Sequence, residues 1–147
     1  MKIRSGQVTI ELIIAISLMA FLIFSVCDNF IIFMKYLEVQ HYKFYYLQRM
    51  RVEGWLSDSD EHSMINQFNA IGCPIVSIGG PEQSGDDGDS NRVLYDPSSV
   101  DNSEISLNIV CMPNPQPFSP LSLIGGTQGN TIINVGGTML SEYVPTN

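Results

Sequence analysis

Residues 2–24 read KIRSGQVTIELIIAISLMAFLIF, and this stretch decides the fold. From Leu12 to Cys27 the chain is unbroken apolar or small residues. Counted from Val8, the run gives about twenty helical positions, or roughly 30 Å, the thickness of a bilayer's hydrocarbon core. Met1 to Gly6 is short and basic, with Lys2, Arg4 and no acid, and Asp28 and Asn29 fall near the far interface. The positive-inside rule keeps such a leader in the cytoplasm and sends the C-terminus out. Glu11 is out of place, because it lies inside the apolar front end. A carboxylate in hydrocarbon is costly, so it needs a partner or a function.

The helical pattern continues beyond membrane length. Phe30 to Leu56 contains no Pro and no Gly before Gly54. Phe33, Leu37, Phe44 and Leu47 follow a 3-4 spacing, and Ile32, Tyr36, Val39, Tyr46 and Met50 mark an adjacent stripe. The cluster Tyr42, Phe44, Tyr45 and Tyr46 reads as core packing. A helix over residues 7–56 is expected, about 70 Å long, with Gly54 and the polar SDSDE after Leu56 at its end. Lys35, Lys43, Arg49 and Arg51 lie on the far side of the membrane run, against the positive-inside rule.

A chain of 147 residues suits one compact domain plus an appendage. The formal net charge is −8, unevenly spread. From Ser57 to Asn147, eleven carboxylates face the single Arg92. That half repels nucleic acid and anionic lipid, so no nucleic-acid partner is expected and an outward, solvated position is. Its grammar is β-rich. Asp58 with Glu61 reads as a capping box for a short helix to about Asn69, ended by Gly72 and Pro74. PIVSI, RVLYD, EISLNIVCM, NTIINV and TMLSEYV are short β-rich runs. Gly136-Gly137 reads as the turn of a C-terminal hairpin, and Met112 to Pro120 as a loop. The expected class is α+β: a cleaved leader at 1–6, a long helix at 7–56, and a small antiparallel β domain at 57–147.

Three cysteines are present. If the acidic half is exported, Cys73 and Cys111 are the natural disulfide pair, closing a loop whose constraint is worth about 4 kcal/mol; two buried free thiols are the alternative. Cys27 reads as a small apolar filler. Asp87, Asp89 and Asn91 have the spacing that begins a calcium loop, but Arg92 replaces the required Gly and Ser98 the bidentate Glu. A solvated acidic loop is the better reading. FSVC, ending at Cys27, departs from a lipobox because Val26 is too large. No nucleophile–base pairing and no phosphate loop has local support. No enzyme, metal or cofactor is expected.

The leader MKIRSG followed by QVTIEL resembles the prepilins of the type IV pilin-like superfamily. In these a prepilin peptidase cuts before the apolar segment and leaves it on the mature protein. Gly6 then precedes the cut and Gln7 becomes the N-terminus. Gln7, Thr9 and Glu11-Leu12 resemble the Q-x-S/T-x-E-L pattern of archaeal class III signal peptides, and some bacterial minor pilins also begin Gly-Gln. The usual bacterial pilin has Phe after the cut. The resemblance covers Lys2 to Phe24, about one sixth of the chain. It implies a membrane-held precursor that meets other pilin subunits and an assembly platform and becomes a minor subunit of a cell-surface filament, with the outer domain open to adhesion. Cleavage creates a positive amine, and Glu11, one helical turn along, is placed to neutralise it or that of a neighbouring subunit. Asp28 marks the outer interface or pairs with a base such as Lys35 on a neighbouring subunit. The alternatives are a single-pass anchor displaying a binding domain, and a pseudopilin of a secretion or tight-adherence system.

Overall fold

A computed structural model describes residues 4–81, 92–117 and 129–144, with side chains from Val8 onward in the first helix. The chain is α+β. Two helices, α1 (Arg4–Glu53) and α2 (Asp58–Ala70), precede β1 (Ile75–Gly79), β2 (Glu104–Cys111) and β3 (Ile133–Leu140). It divides into two units, residues 1–33 with 117–129 and residues 34–116 with 130–147. The division falls inside α1 rather than at Ser57, because the second half of the helix supplies one wall of the globular core. The Asp87–Asn91 candidate loop lies outside the described residues.

In the first unit α1 carries its apolar side chains outward: Val8, Ile10, Leu12, Ile16, Leu22 and Phe24 are all more than half exposed. Its polar side chains turn back onto their own helix. The Ser17 hydroxyl donates to the Ile13 carbonyl at 2.8 Å, and the Asn29 amide donates to the Ser25 carbonyl at 2.7 Å. Such back-bonding satisfies a polar group without water.

In the second unit the residues from Met34 are helical until Gly54, where φ is +80°. The Gly54 N–H bonds the Met50 carbonyl at 2.7 Å, and a Cβ there would stand 2.9 Å from the Val93 carbonyl oxygen. The helix therefore stops three residues before the expected Leu56. The cap of α2 lies one residue earlier than predicted: Ser57, not Asp58, is the N-cap, its hydroxyl accepting from the Asp60 N–H at 3.4 Å. Its far end is a full Schellman turn. Gly72 N–H bonds the Asn69 carbonyl at 3.0 Å and Cys73 N–H the Phe68 carbonyl at 2.9 Å.

The sheet is antiparallel in the order β1-β2-β3. Alternation along β2 sends Ile105, Leu107, Ile109 and Cys111 inward, opposite Met139, Gly137, Val135 and Ile133 of β3. β1 lacks strict alternation. A bulge between Ile75 and Ser77 lets both Ile75 and Ile78 reach the core while Val76 faces out. One α1 stripe, Val39, Tyr46, Leu47 and Met50, closes the core with Leu56, Met64 and Phe68. Cys73 and Cys111 are joined by a disulfide inside it, with Cα atoms 5.5 Å apart.

Two expected elements differ. Gly136-Gly137 is not a hairpin turn but the middle of β3. A Cβ on Gly137 would stand 3.2 Å from Lys43 Nζ and 3.3 Å from Leu47 Cδ2, so the glycine lets α1 approach the sheet closely. RVLYD is extended but forms no strand. It makes single bonds instead, Val93 N–H to the Gly54 carbonyl and Tyr95 N–H to the Tyr143 carbonyl, both at 2.9 Å. Arg92, the lone base of the acidic half, sits with its guanidinium carbon 4.1 Å from the Trp55 ring centre and 4.7 Å from that of Tyr143.

The two adjacent glycines provide a test. Gly137→Val faces Leu47 and Lys43 and should destabilise the domain by about 1–3 kcal/mol through overpacking. Gly136→Val faces outward, where a Cβ meets Asn108 Oδ1 at 3.4 Å and the Leu107 carbonyl oxygen at 4.0 Å, and should change stability by less than about 0.5 kcal/mol. Denaturant titration of the two variants reads the difference.

Candidate functional site

Among the described residues one helix is long and apolar enough to cross a membrane, and none of its most apolar window is buried by the rest of the chain. Helix α1 runs through Gly6, Gln7 and Glu11 without a break. Four residues separate Gln7 from Glu11, a rise of about 6 Å, so the two share a helix face one turn apart. Glu11 is exposed between Ile10 and Leu12. Cys27, expected as a filler, is a free thiol on the exposed surface of the same helix.

The apolar surface continues past the span. Phe30, Phe33, Leu37, Phe44 and Val52 are each between 46 and 62% exposed. The aromatic cluster thus divides, contrary to the core-packing expectation. Tyr46 is buried, Tyr42 is half-buried with its ring 6.2 Å from that of Phe68, and Phe44 and Tyr45 face out. One face of the helix was already filled by Val39, Tyr46, Leu47 and Met50, and the sheet is only three strands wide. Within the globular unit, an open groove of about 510 Å³ is lined by Tyr45, Gln48, Arg49, Arg51, Val52, Glu53 and Glu142.

The four bases that break the positive-inside rule each have an internal task. Lys35 Nζ donates to the Gly72 and Asn114 carbonyls, both at 2.8 Å. Lys43 Nζ donates to Gln40 Oε1 at 2.7 Å and to the Gly136 carbonyl of β3 at 3.1 Å. Arg49 meets Asp60 of α2 at 2.8 Å, and Arg51 pairs with Glu142. Each therefore ties α1 to another part of the globular unit. Lys35, one candidate base for pairing with Asp28 between subunits, makes both of these bonds within its own chain.

Asp60 is the most consequential of these partners. Its side chain is 4% exposed, whereas that of Arg49 is 41% exposed. Burial of Tyr46, and then the Asp60 charge, push the Tyr46 phenol up to about 12. The phenol O–H donates to Gln67 Oε1 at 3.0 Å. On the rim, Asp96 accepts from the Ser98 hydroxyl, the Ser98 amide and the Asn102 amide, which hold its carboxyl below the usual range.

Comparison with family models, with curated proteins and with solved structures finds no match to this chain.

Removing Arg49 leaves a buried carboxylate without its guanidinium. Arg49→Met should cost about 2–4 kcal/mol, and adding Asp60→Asn should recover part of that loss, as a double-mutant cycle in urea would show. The Tyr46 phenol sets an alkaline limit. Its folded value lies above the unfolded value, so its contribution is complete below about pH 10 and is lost as pH rises toward 12. Tyr46→Phe should flatten the fall of Tm over that window.

Proposed function

We infer that this chain is the precursor of a minor subunit of a type IV pilus-like filament. Helix α1 holds the precursor in the cytoplasmic membrane. After a prepilin peptidase cuts between Gly6 and Gln7, α1 packs with other pilin subunits on an assembly platform. The acidic domain faces outward and is available for adhesion.

One observation carries this reading. Glu11 lies in the apolar front of α1, one turn beyond a Gly-Gln junction, and the helix keeps its apolar surface uncovered well past the length of a bilayer. A plain anchor needs neither the carboxylate nor an exposed Phe33, Leu37 and Phe44 beyond the membrane. A helix that leaves lipid to pack against its copies uses both. The new amine and Glu11 neutralise one another in low dielectric, within one chain or between neighbours. Such a pair favours one axial stagger, a role that buried charges serve well. The outward half, with its eleven carboxylates, resists collapse onto an anionic surface.

Co-expression with a prepilin peptidase and mass spectrometry of the product tests the reading. A mature N-terminus at Gln7 is expected; an intact Met1 or a cut beyond Phe24 leaves the single-pass binding protein instead. Glu11→Ala should insert normally yet lower sheared filament by at least about tenfold, whereas an anchor would show no change.

A further inference from the structure

We propose that Lys35 is a redox-conditioned latch, seated in a two-carbonyl cup that exists only when Cys73 and Cys111 are bonded. The cup is built from the backbone of both cysteine-bearing segments. Gly72, one residue before Cys73, offers a carbonyl to Lys35 Nζ at 2.8 Å. Asn114, three residues after Cys111, offers the other at the same distance. The two segments are held in register by Asn114 N–H to the Gly72 carbonyl at 2.7 Å and Met112 N–H to the Pro74 carbonyl at 3.0 Å, with the disulfide between them. The Gly72 carbonyl therefore accepts from both Asn114 and Lys35.

Glycine is needed at the floor. Gly72 has φ +69°, and a Cβ would stand 2.7 Å from the Asn114 carbonyl oxygen and 2.8 Å from Lys35 Nζ. Neither acceptor is a carboxylate, so the ammonium is held by geometry. Two carbonyls converge on it only while their segments are fixed. The neighbouring side chains of α1 bury little here. Met34, Tyr36 and Leu37 are exposed, and Val39 is the first side chain of this part of the unit to be buried. Lys43, by contrast, is held by β3 and Gln40, away from the cysteines.

The latch closes by thiol–disulfide exchange with a disulfide-bearing oxidant, R–S–S–R. Cys73 and Cys111 lose two protons and two electrons and form one S–S bond. The oxidant's S–S bond breaks, takes up those protons and electrons, and leaves as two RSH. What becomes fixed only in an oxidising compartment, after export, is thus the seat of the Lys35 ammonium, since residues 34–38 already belong to the continuous helix α1. The bearing of this on assembly rests on the filament reading, but the test below does not, so the two can fail separately.

Lysine acetylation by an N-hydroxysuccinimide ester, read peptide by peptide on the full chain in detergent, tests the latch. Lys35 of the native chain should react at least about tenfold more slowly than Lys35 of the Cys73→Ala/Cys111→Ala chain, given two bonds to a charged group, while the rate at Lys43 stays constant. An unchanged Lys35 rate overturns the proposal. So does an equal rise at Lys35 and Lys43, which would make the disulfide a support of the whole domain. Gly72→Ala, with the disulfide intact, should free Lys35 and spare Lys43; a Lys35 that stays slow in that variant also overturns it.

Discussion

The globular unit depends on the contact between one stripe of α1 and the inner face of a three-stranded sheet. A three-stranded sheet with one apolar face needs a layer to cover it, and a helix that buries a stripe needs a surface to bury it against. Val39, Tyr46, Leu47 and Met50 supply one side; Leu107, Ile109, Ile133 and Val135 supply the other. The two can meet because Gly137 presents no side chain beneath Leu47 and Lys43. The helix has a wider apolar girth than the sheet can cover. Phe44 and Tyr45 are therefore left outside by the same packing that buries Tyr46.

Charge completes the attachment. Four bases of α1 lie in its second half, after the apolar stretch. Here each one reaches across to a different partner: a carbonyl cup for Lys35, the β3 backbone for Lys43, α2 for Arg49, and the stretch after β3 for Arg51. They differ in worth. Arg51 and Glu142 are exposed and add little. Arg49 and Asp60 form a pair with one buried member, so losing the exposed partner leaves an uncompensated charge.

Much of the architecture was legible because period and punctuation agreed. The Pro-free run to Leu56 implied α1, and EISLNIVCM alternated cleanly enough to yield β2. Gly72 carried the end of α2, since only a left-handed residue closes a Schellman turn there. The failures have specific causes. Gly136-Gly137 reads locally as a turn, and only a helix packed on top explains Gly137 inside a strand. RVLYD has strand composition, but it lies beside Gly54 and Tyr143, which offer one hydrogen bond each and no ladder. Asp58 and Ser57 are both good caps, and the one in use is Ser57, whose hydroxyl accepts from the Asp60 N–H. The bulge at Val76 was invisible because PIVSI carries no period of its own.

Sequence alone determined what is one-dimensional: the apolar stretch and its length, the odd carboxylate at Glu11 one turn from Gln7, the acidic second half, and the α+β order of elements. These follow from composition, spacing and the bilayer's thickness, none of which needs a partner in space. Tertiary structure decided which face of α1 is core and which is left open, and that Cys73 lies beside Cys111. It also decided that Lys35 donates to Gly72 and Asn114. Those choices depend on groups 21 to 93 residues apart in the chain. Only close packing brings them within the few ångströms over which a hydrogen bond or a van der Waals contact acts.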